Sequence, residues 1–174
     1  MSRKVINVAL LGLGTVGTGV YKVLKMQQED MEDKIGARVE LKKILVRNLK
    51  KAAAKIEEPE ILTNNWKEIL EDDSIEIVIE VMGGIEPAKT YMLEALKAGK
   101  HVVTANKDLV ASHGQEVLDC AAENSRDFLF EAAVAGGIPI IRPLKQCLAG
   151  NHLSEVVGTV NGTTNFILTK MTQE

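Results

Sequence analysis

The chain has 174 residues, 45% of them hydrophobic and 26% charged, which is the balance of a folded globular protein and not of a disordered one. That length holds one domain, or one domain and part of a second. With 21 basic against 24 acidic residues the net charge is −3, which argues against nucleic-acid binding through bulk positive charge. The aromatics Trp66, Tyr21, Tyr91, Phe128, Phe130 and Phe166 are too few and too dispersed for a base-stacking platform. No apolar run approaches the roughly 18 residues of a membrane span.

In chain order, Val5 to Leu11 is almost wholly apolar, the pattern of a strand covered on both faces. Thr15 to about Met31 carries helical spacing at Val16, Val20, Val23 and Leu24. Val39 to Val46 reads as a second strand, the polar stretch Asn48 to Asn65 as a loop with a short helix, and Asn64 to Glu71 as a short helix. Ile75 to Val81 is a third strand. A helix follows from Pro87 to Ala98, with proline in its first turn and Gly99 just past its end. His101 to Thr104 is a fourth strand, Lys107 to Glu123 a helix, and Phe128 to Phe130 a short fifth strand. Beyond Glu131 the rhythm changes: a glycine-proline segment leads to a helix reaching about Ala149. Ser154 to Val160 reads as a sixth strand, and Phe166 to Met171 as the start of a helix.

Strands alternating with helices at this spacing imply parallel pairing through right-handed crossovers, hence an α/β doubly wound parallel sheet. Residues 1–150 form its expected extent, and 151–174 the opening of a second domain. The N-terminus has the outline of a signal peptide, but no small-residue cleavage site follows its apolar run. Cys120 and Cys147 fall in helical stretches and read as small buried hydrophobes, so a reducing cytoplasm is the expected location. His101, His113 and His152 show no metal-ligand spacing.

Gly12-Leu13-Gly14-Thr15-Val16-Gly17 fits G-x-G-x-x-G directly after a buried strand and at the opening of a helix, the context in which this Rossmann-type fingerprint is specific. Gly12 serves the tight turn, Gly14 lets backbone approach a pyrophosphate, and Gly17 lets helix pack on strand. The amides near Thr15 and Val16, with the helix dipole, face the phosphates of a dinucleotide. At the tip of the second strand the chain reads Leu45-Val46-Arg47-Asn48-Leu49-Lys50-Lys51, with no acid to hold ribose hydroxyls. Arg47 can hold a 2′-phosphate, with Lys50 or Lys51 adding charge, which predicts NADP alongside or ahead of NAD; the competing reading is a solvated loop. Val81-Met82-Gly83-Gly84 closes the third strand, and Gly83 admits the nicotinamide half close to backbone. Thr104-Ala105-Asn106-Lys107 closes the fourth strand at the same crevice, which points to Thr104 and Lys107 as cofactor neighbours. Lys107 can bind a carboxylate or alkoxide or move a proton; its competing reading is an exposed lysine in a first helical turn.

With Glu131-Ala132-Ala133-Val134-Ala135-Gly136-Gly137-Ile138-Pro139-Ile140-Ile141 and Gly158-Thr159-Val160-Asn161-Gly162-Thr163-Thr164-Asn165-Phe166 added, the chain resembles homoserine dehydrogenase over essentially its whole length. The resemblance implies reversible oxidation of L-homoserine to L-aspartate 4-semialdehyde with NAD or NADP taking the hydride, on the route to threonine and methionine. It also implies Lys107 as a lysine of the cofactor and active-site region. It implies a monovalent-cation loop, usually sodium, held by the carboxylate of Glu131 and the carbonyls of Val134, Gly136 and Ile138. A hard cation wants oxygens, and a glycine-rich turn converges carbonyls easily. The competing reading of Glu131 is a carboxylate that caps the next helix.

Family members are much longer, and their second domain carries the substrate-binding acids, a general acid-base lysine and most of the dimer interface. The chain is therefore expected to hold the nucleotide-binding half of a homo-oligomer, to bind cofactor, and to show no turnover alone. Its partner is expected to be a small-molecule substrate, without nucleic acid or membrane. The apolar residues Phe166, Ile167, Leu168 and Met171 are expected to be exposed. Two other classes compete: a nucleotide-sensing module of the potassium-transport type, and another semialdehyde or dipicolinate-type reductase. The first would need neither Lys107 at its corner nor the segment from 136 to 139.

Overall fold

The computed structural model describes residues 4–158 and 162–173 and falls into two compact units, Met1–Phe130 and Glu131–Glu174. The first unit contains a six-stranded sheet: β1 (Lys4–Leu11), β2 (Ala37–Leu45), β3 (Leu62–Thr63), β4 (Ile75–Glu80), β5 (His101–Thr104) and β6 (Phe128–Leu129). Every pairing is parallel and the order is β3-β2-β1-β4-β5-β6. Chain order thus runs outward from β1 to β3 on one side, then returns to β4 on the other. That reversal puts a crevice beyond the carboxyl ends of β1 and β4, where open α/β sheets take their ligands.

Period-two alternation divides the core between the two faces of the sheet. Ala9, Leu11, Leu45 and Val78 pack on one side with Met92 and Leu96 of α5 (Ala88–Lys97) and Leu109 and Val117 of α6 (Lys107–Glu123). Leu10 and Ile44 pack on the other with Tyr21 of α1 (Thr15–Met26) and Ala52 of α3 (Leu49–Ala53). Ala9, Leu10 and Leu11 are all fully buried although they point to opposite faces, which is why β1 reads as continuous apolar sequence rather than as an alternation. Each buried leucine contributes on the order of 1.5–3 kcal/mol.

The helix expected from 15 to 31 is two helices. α1 ends at Met26, and α2 (Gln28–Ile35) begins after Gln27, whose φ of −111° and ψ of 21° break the run. Apolar spacing stops at Leu24, and α2 buries nothing, so packing gives no reason to continue one axis. Glu29 and Asp30 in the first turn of α2 favour a fresh N-terminus. The stretch 48–65 holds α3, a 3₁₀ turn at Pro59–Ile61 and the strand β3, which is too short to show a period. α4 (Lys67–Leu70) is shorter than the expected helix, whereas β5 and α6 have the expected bounds.

Lys100 is buried between α5 and β5, and its Nζ donates to the carbonyls of Asp72 at 2.7 Å and Ile75 at 3.1 Å. Burial pushes its pKa down, opposed by the charges of Asp72 and Asp73. Cys120 is buried and forms no disulfide, as expected.

The second unit differs more from expectation. Residues 152–158 form no strand, so the strand expected over 154–160 is absent from its described part; residues 159 and 160 lie outside the described residues. A strand needs a ladder, and no other strand is described in this unit. The helix expected to reach Ala149 is a short segment from 141 to 147 with π geometry at Pro143–Cys147. Cys147, expected to be buried, is exposed, because the described residues of this unit bury no side chain around it. α7 (Gly162–Gln173) carries Phe166, Ile167, Leu168 and Met171, all exposed.

Candidate cofactor cleft

An open cleft of about 660 Å³ lies at the carboxyl ends of β1, β2 and β4. Gly12, Leu13 and Gly14 form one wall, Arg47, Asn48, Lys51 and Lys55 a second, and Met82, Gly83, Glu86 and Tyr91 a third.

The glycine loop is built from backbone constraints. Gly12 has a φ of +101°, and its amide donates to Leu45 O at 2.9 Å, tying the loop to β2. A Cβ at Gly17 would sit 2.1 Å from Gly12 O, so only glycine lets α1 start this close to the end of β1. A Cβ at Gly14 would meet no atom within 4 Å, because that side opens toward the cleft. Thr18 N–H bonds back to Gly14 O at 2.9 Å, and Gly14 gives no side-chain cap, which leaves the leading amides of α1 for an anion. Lys55 Nζ donates to Leu13 O at 2.7 Å and steadies the loop from α3's side; nothing in the sequence spacing singled this lysine out.

Gly12, Leu13, Gly14, Arg47 and Gly83 all line the cleft, while Thr15 and Val16 are exposed at the head of α1 and Gly17 is buried behind them. Of the two lysines expected to assist Arg47, Lys51 lines the cleft. Asn48 caps α3 by accepting from Lys51 N–H at 2.9 Å, which holds the Arg47 corner in place.

Thr104 and Lys107 stand differently. Thr104 is buried, and its hydroxyl donates to Glu80 Oε2 at 2.6 Å. Lys107 is the exposed first residue of α6, whose N-cap is Asn106 through Leu109 N–H. The buried carboxylate of Glu80 was not foreseen. The available signal was an acid closing the otherwise apolar strand Ile75-Glu76-Ile77-Val78-Ile79-Glu80.

In the second unit, Glu131 Oε1 accepts from the amides of Ile140 at 2.5 Å and Ile141 at 2.9 Å, and Oε2 from Arg142 at 2.8 Å. These bonds, that of Ile140 foremost, hold its carboxyl below the usual carboxylate range. The capping reading of Glu131 is therefore the one this geometry realises. Its oxygens have four lone-pair sites, and three are used, which leaves one on Oε2. Val134, Gly136 and Ile138 share the intervening turn, where Ala135 and Gly136 have φ of 56° and 61°. Among the described residues, no three His, Cys, Asp or Glu side chains cluster as metal ligands.

Residues 12–152 match the family model described as the homoserine dehydrogenase NAD-binding domain, and 139–174 match the model described as homoserine dehydrogenase. The chain belongs to the homoserine dehydrogenase family. It is 48% identical over 171 residues to the homoserine dehydrogenase of Bacillus subtilis, covering 98% of this chain and 40% of that one. A crystal structure of the Thiobacillus denitrificans homoserine dehydrogenase superposes with a TM-score of 0.89 at 43% identity, over 99% of this chain and 40% of that chain. A hyperthermophilic archaeal homoserine dehydrogenase in complex with NADPH superposes with a TM-score of 0.78 at 27% identity, over 97% and 57%. The chain thus spans about two fifths of the length of its Bacillus relative. Its cleft lies within the family's NAD-binding portion.

Proposed function

We propose that this chain is the NAD(P)-binding portion of an enzyme that interconverts L-homoserine and L-aspartate 4-semialdehyde. Residues 1–150 would form that portion, and 151–174 the opening of a second domain that completes the substrate site. The observation that carries the reading is the unobstructed mouth of α1: leading amides with no side-chain cap, next to Gly12 and Gly14 on one wall of the cleft, with Gly17 packed behind them where no side chain fits. The bound nicotinamide cofactor would supply the hydride chemistry. The chain's own residues bind and orient. The amides of Thr15 and Val16 receive a diphosphate, and Arg47 with Lys51 receives a 2′-phosphate. Gly83 leaves room for the nicotinamide half, and Lys107 stands toward the substrate's polar end at the head of α6. The NADPH held by the archaeal relative supports the choice of NADP over NAD.

The resemblance further supports sodium at Glu131 Oε2 with the carbonyls of Val134, Gly136 and Ile138. The capping bonds limit Glu131 to one lone pair in that role. A homo-oligomeric, cytoplasmic enzyme of amino-acid biosynthesis completes the proposal.

Calorimetric titration of the purified chain with NADP⁺ and NAD⁺ tests the cofactor assignment. NADP⁺ should bind more tightly, and Arg47→Ala should weaken it by roughly tenfold while leaving NAD⁺ unchanged, the value of one charge-assisted contact. Absence of binding by either nucleotide refutes the cleft assignment. Tighter NAD⁺ binding that ignores Arg47→Ala refutes the 2′-phosphate role alone.

A further inference from the structure

We infer that Glu80 is a positioning residue: its buried carboxylate fixes the strand-end corner against which the nicotinamide half of the cofactor rests. The inference rests on the cofactor reading above. Gly83 and Gly84 have φ of +75° and +74°, and a Cβ on either would meet nothing within 4 Å. Two consecutive left-handed glycines with no packing around them have no intrinsic reason to hold one shape. They are held by hydrogen bonds from below. Met82 N–H and Gly83 N–H donate to Glu80 Oε1 at 2.7 and 3.3 Å, and Asn106 Nδ2 donates to Gly84 O at 2.6 Å.

The second oxygen extends the brace to β5. Asn106 N–H donates to Thr104 Oγ1 at 3.0 Å, so the Thr104 hydroxyl hydrogen is left to donate to Glu80 Oε2 at 2.6 Å. Asn106 in turn caps α6 through Leu109 N–H at 3.3 Å. One acidic side chain, fully buried and contacted by neutral donors, thereby joins the Met82–Gly84 turn to the helix that starts at Lys107. Burying an acid is costly, and an apolar residue at the end of β4 would fill the space more cheaply if packing were its only task. Met82 and Gly83 line the cleft, so the shape Glu80 imposes is a shape the ligand meets.

A positioning role and a merely structural one separate by ligand. The probes are NADP⁺, which carries the nicotinamide, and 2′,5′-ADP, which carries the adenosine phosphates without it. Titration calorimetry on the chain with Glu80→Ala should show NADP⁺ weakened by roughly tenfold and 2′,5′-ADP by less than about twofold. Glu80→Gln keeps an oxygen for the Met82 and Gly83 amides and should recover most of the NADP⁺ affinity. Should Glu80→Ala not fold, Thr104→Val removes the hydroxyl that bonds both Glu80 Oε2 and Asn106 N–H, and should show the same asymmetry at about threefold. Equal losses for both ligands, unchanged NADP⁺ affinity, or no recovery in Glu80→Gln would overturn the inference. Wild-type protein that binds neither probe sinks the cofactor reading itself; wild-type binding with symmetric variants sinks only the brace.

Discussion

Replacing Gly17 by alanine perturbs the cleft at its tightest point. The new Cβ would lie 2.1 Å from Gly12 O, 2.9 Å from Gly12 C and 3.3 Å from Val81 Cγ2. The loop cannot retreat, because Gly12 N–H is bonded to Leu45 O and Gly12 Cα already faces Met82 Cα and Val81 O across a gap that would put a Cβ at 3.1 Å. α1 must therefore move outward by roughly 1 Å to restore ordinary contact. Strain of this kind costs about 1–3 kcal/mol, which at about 2–4 °C per kcal/mol for a chain of this length lowers the melting temperature by roughly 2–12 °C. The same movement draws the leading amides away from a bound diphosphate, and loss of one charge-assisted hydrogen bond there is worth about 2 kcal/mol, or roughly 30-fold in NADP⁺ affinity. Gly19→Ala on the same helix is the control: its Cβ meets nothing within 4 Å, so alanine should raise stability by about 0.5–1 kcal/mol without changing affinity. Calorimetric titration and thermal melts of both variants decide the matter. A Gly17→Ala protein with wild-type melting and wild-type affinity would refute the close-packing argument.

Two further outcomes concern pH. Asp72 is lowered from 3.8 to about 2, first by its bond to Lys42 at 2.7 Å and then by Ser74. A folded pKa below the unfolded one adds stability that is present above about pH 4 and lost as pH falls toward 2. After solvent screening of this partly exposed pair the contribution is about 1 kcal/mol, so Asp72→Asn should flatten the acid limb of a urea-unfolding series by that amount; an unchanged limb contradicts it. Glu131 is likewise lowered, chiefly by the Ile140 amide, so its capping bonds should persist down through the usual carboxylate range and fail only below it. Glu131→Gln should reduce the protection of the Ile140, Ile141 and Arg142 amides against exchange near neutral pH and abolish the further loss of protection expected in wild type on acidification. Exchange rates equal to wild type at those three amides would show that the cap is not formed in solution.

Much of the fold was legible because β1 is covered on both faces and therefore reads as an apolar run, and because helix punctuation at Pro87 and Gly99 is local. The glycine fingerprint was legible for the same reason: its three glycines answer to φ, open space and close approach within six residues. Where local signals ended, sequence reading failed. β3 has two residues and no period, the break at Gln27 reflects the absence of anything for α2 to bury, and 152–158 has strand-like composition with no ladder to join.

The sequence by itself determined the family, the crossover rhythm and the location of the phosphate loop, since each depends on residues adjacent in the chain. Only the tertiary structure decided what long-range geometry controls. It turned Glu131 into a helix cap across nine residues, set Thr104 behind the cleft rather than in it, and brought Glu80 beneath a glycine corner that a distant asparagine also holds. Hydrogen-bond partners such as Glu131 with Ile140, Glu80 with Thr104 and Gly84 with Asn106 leave no periodic trace, because the chain encodes them through packing and not through local spacing.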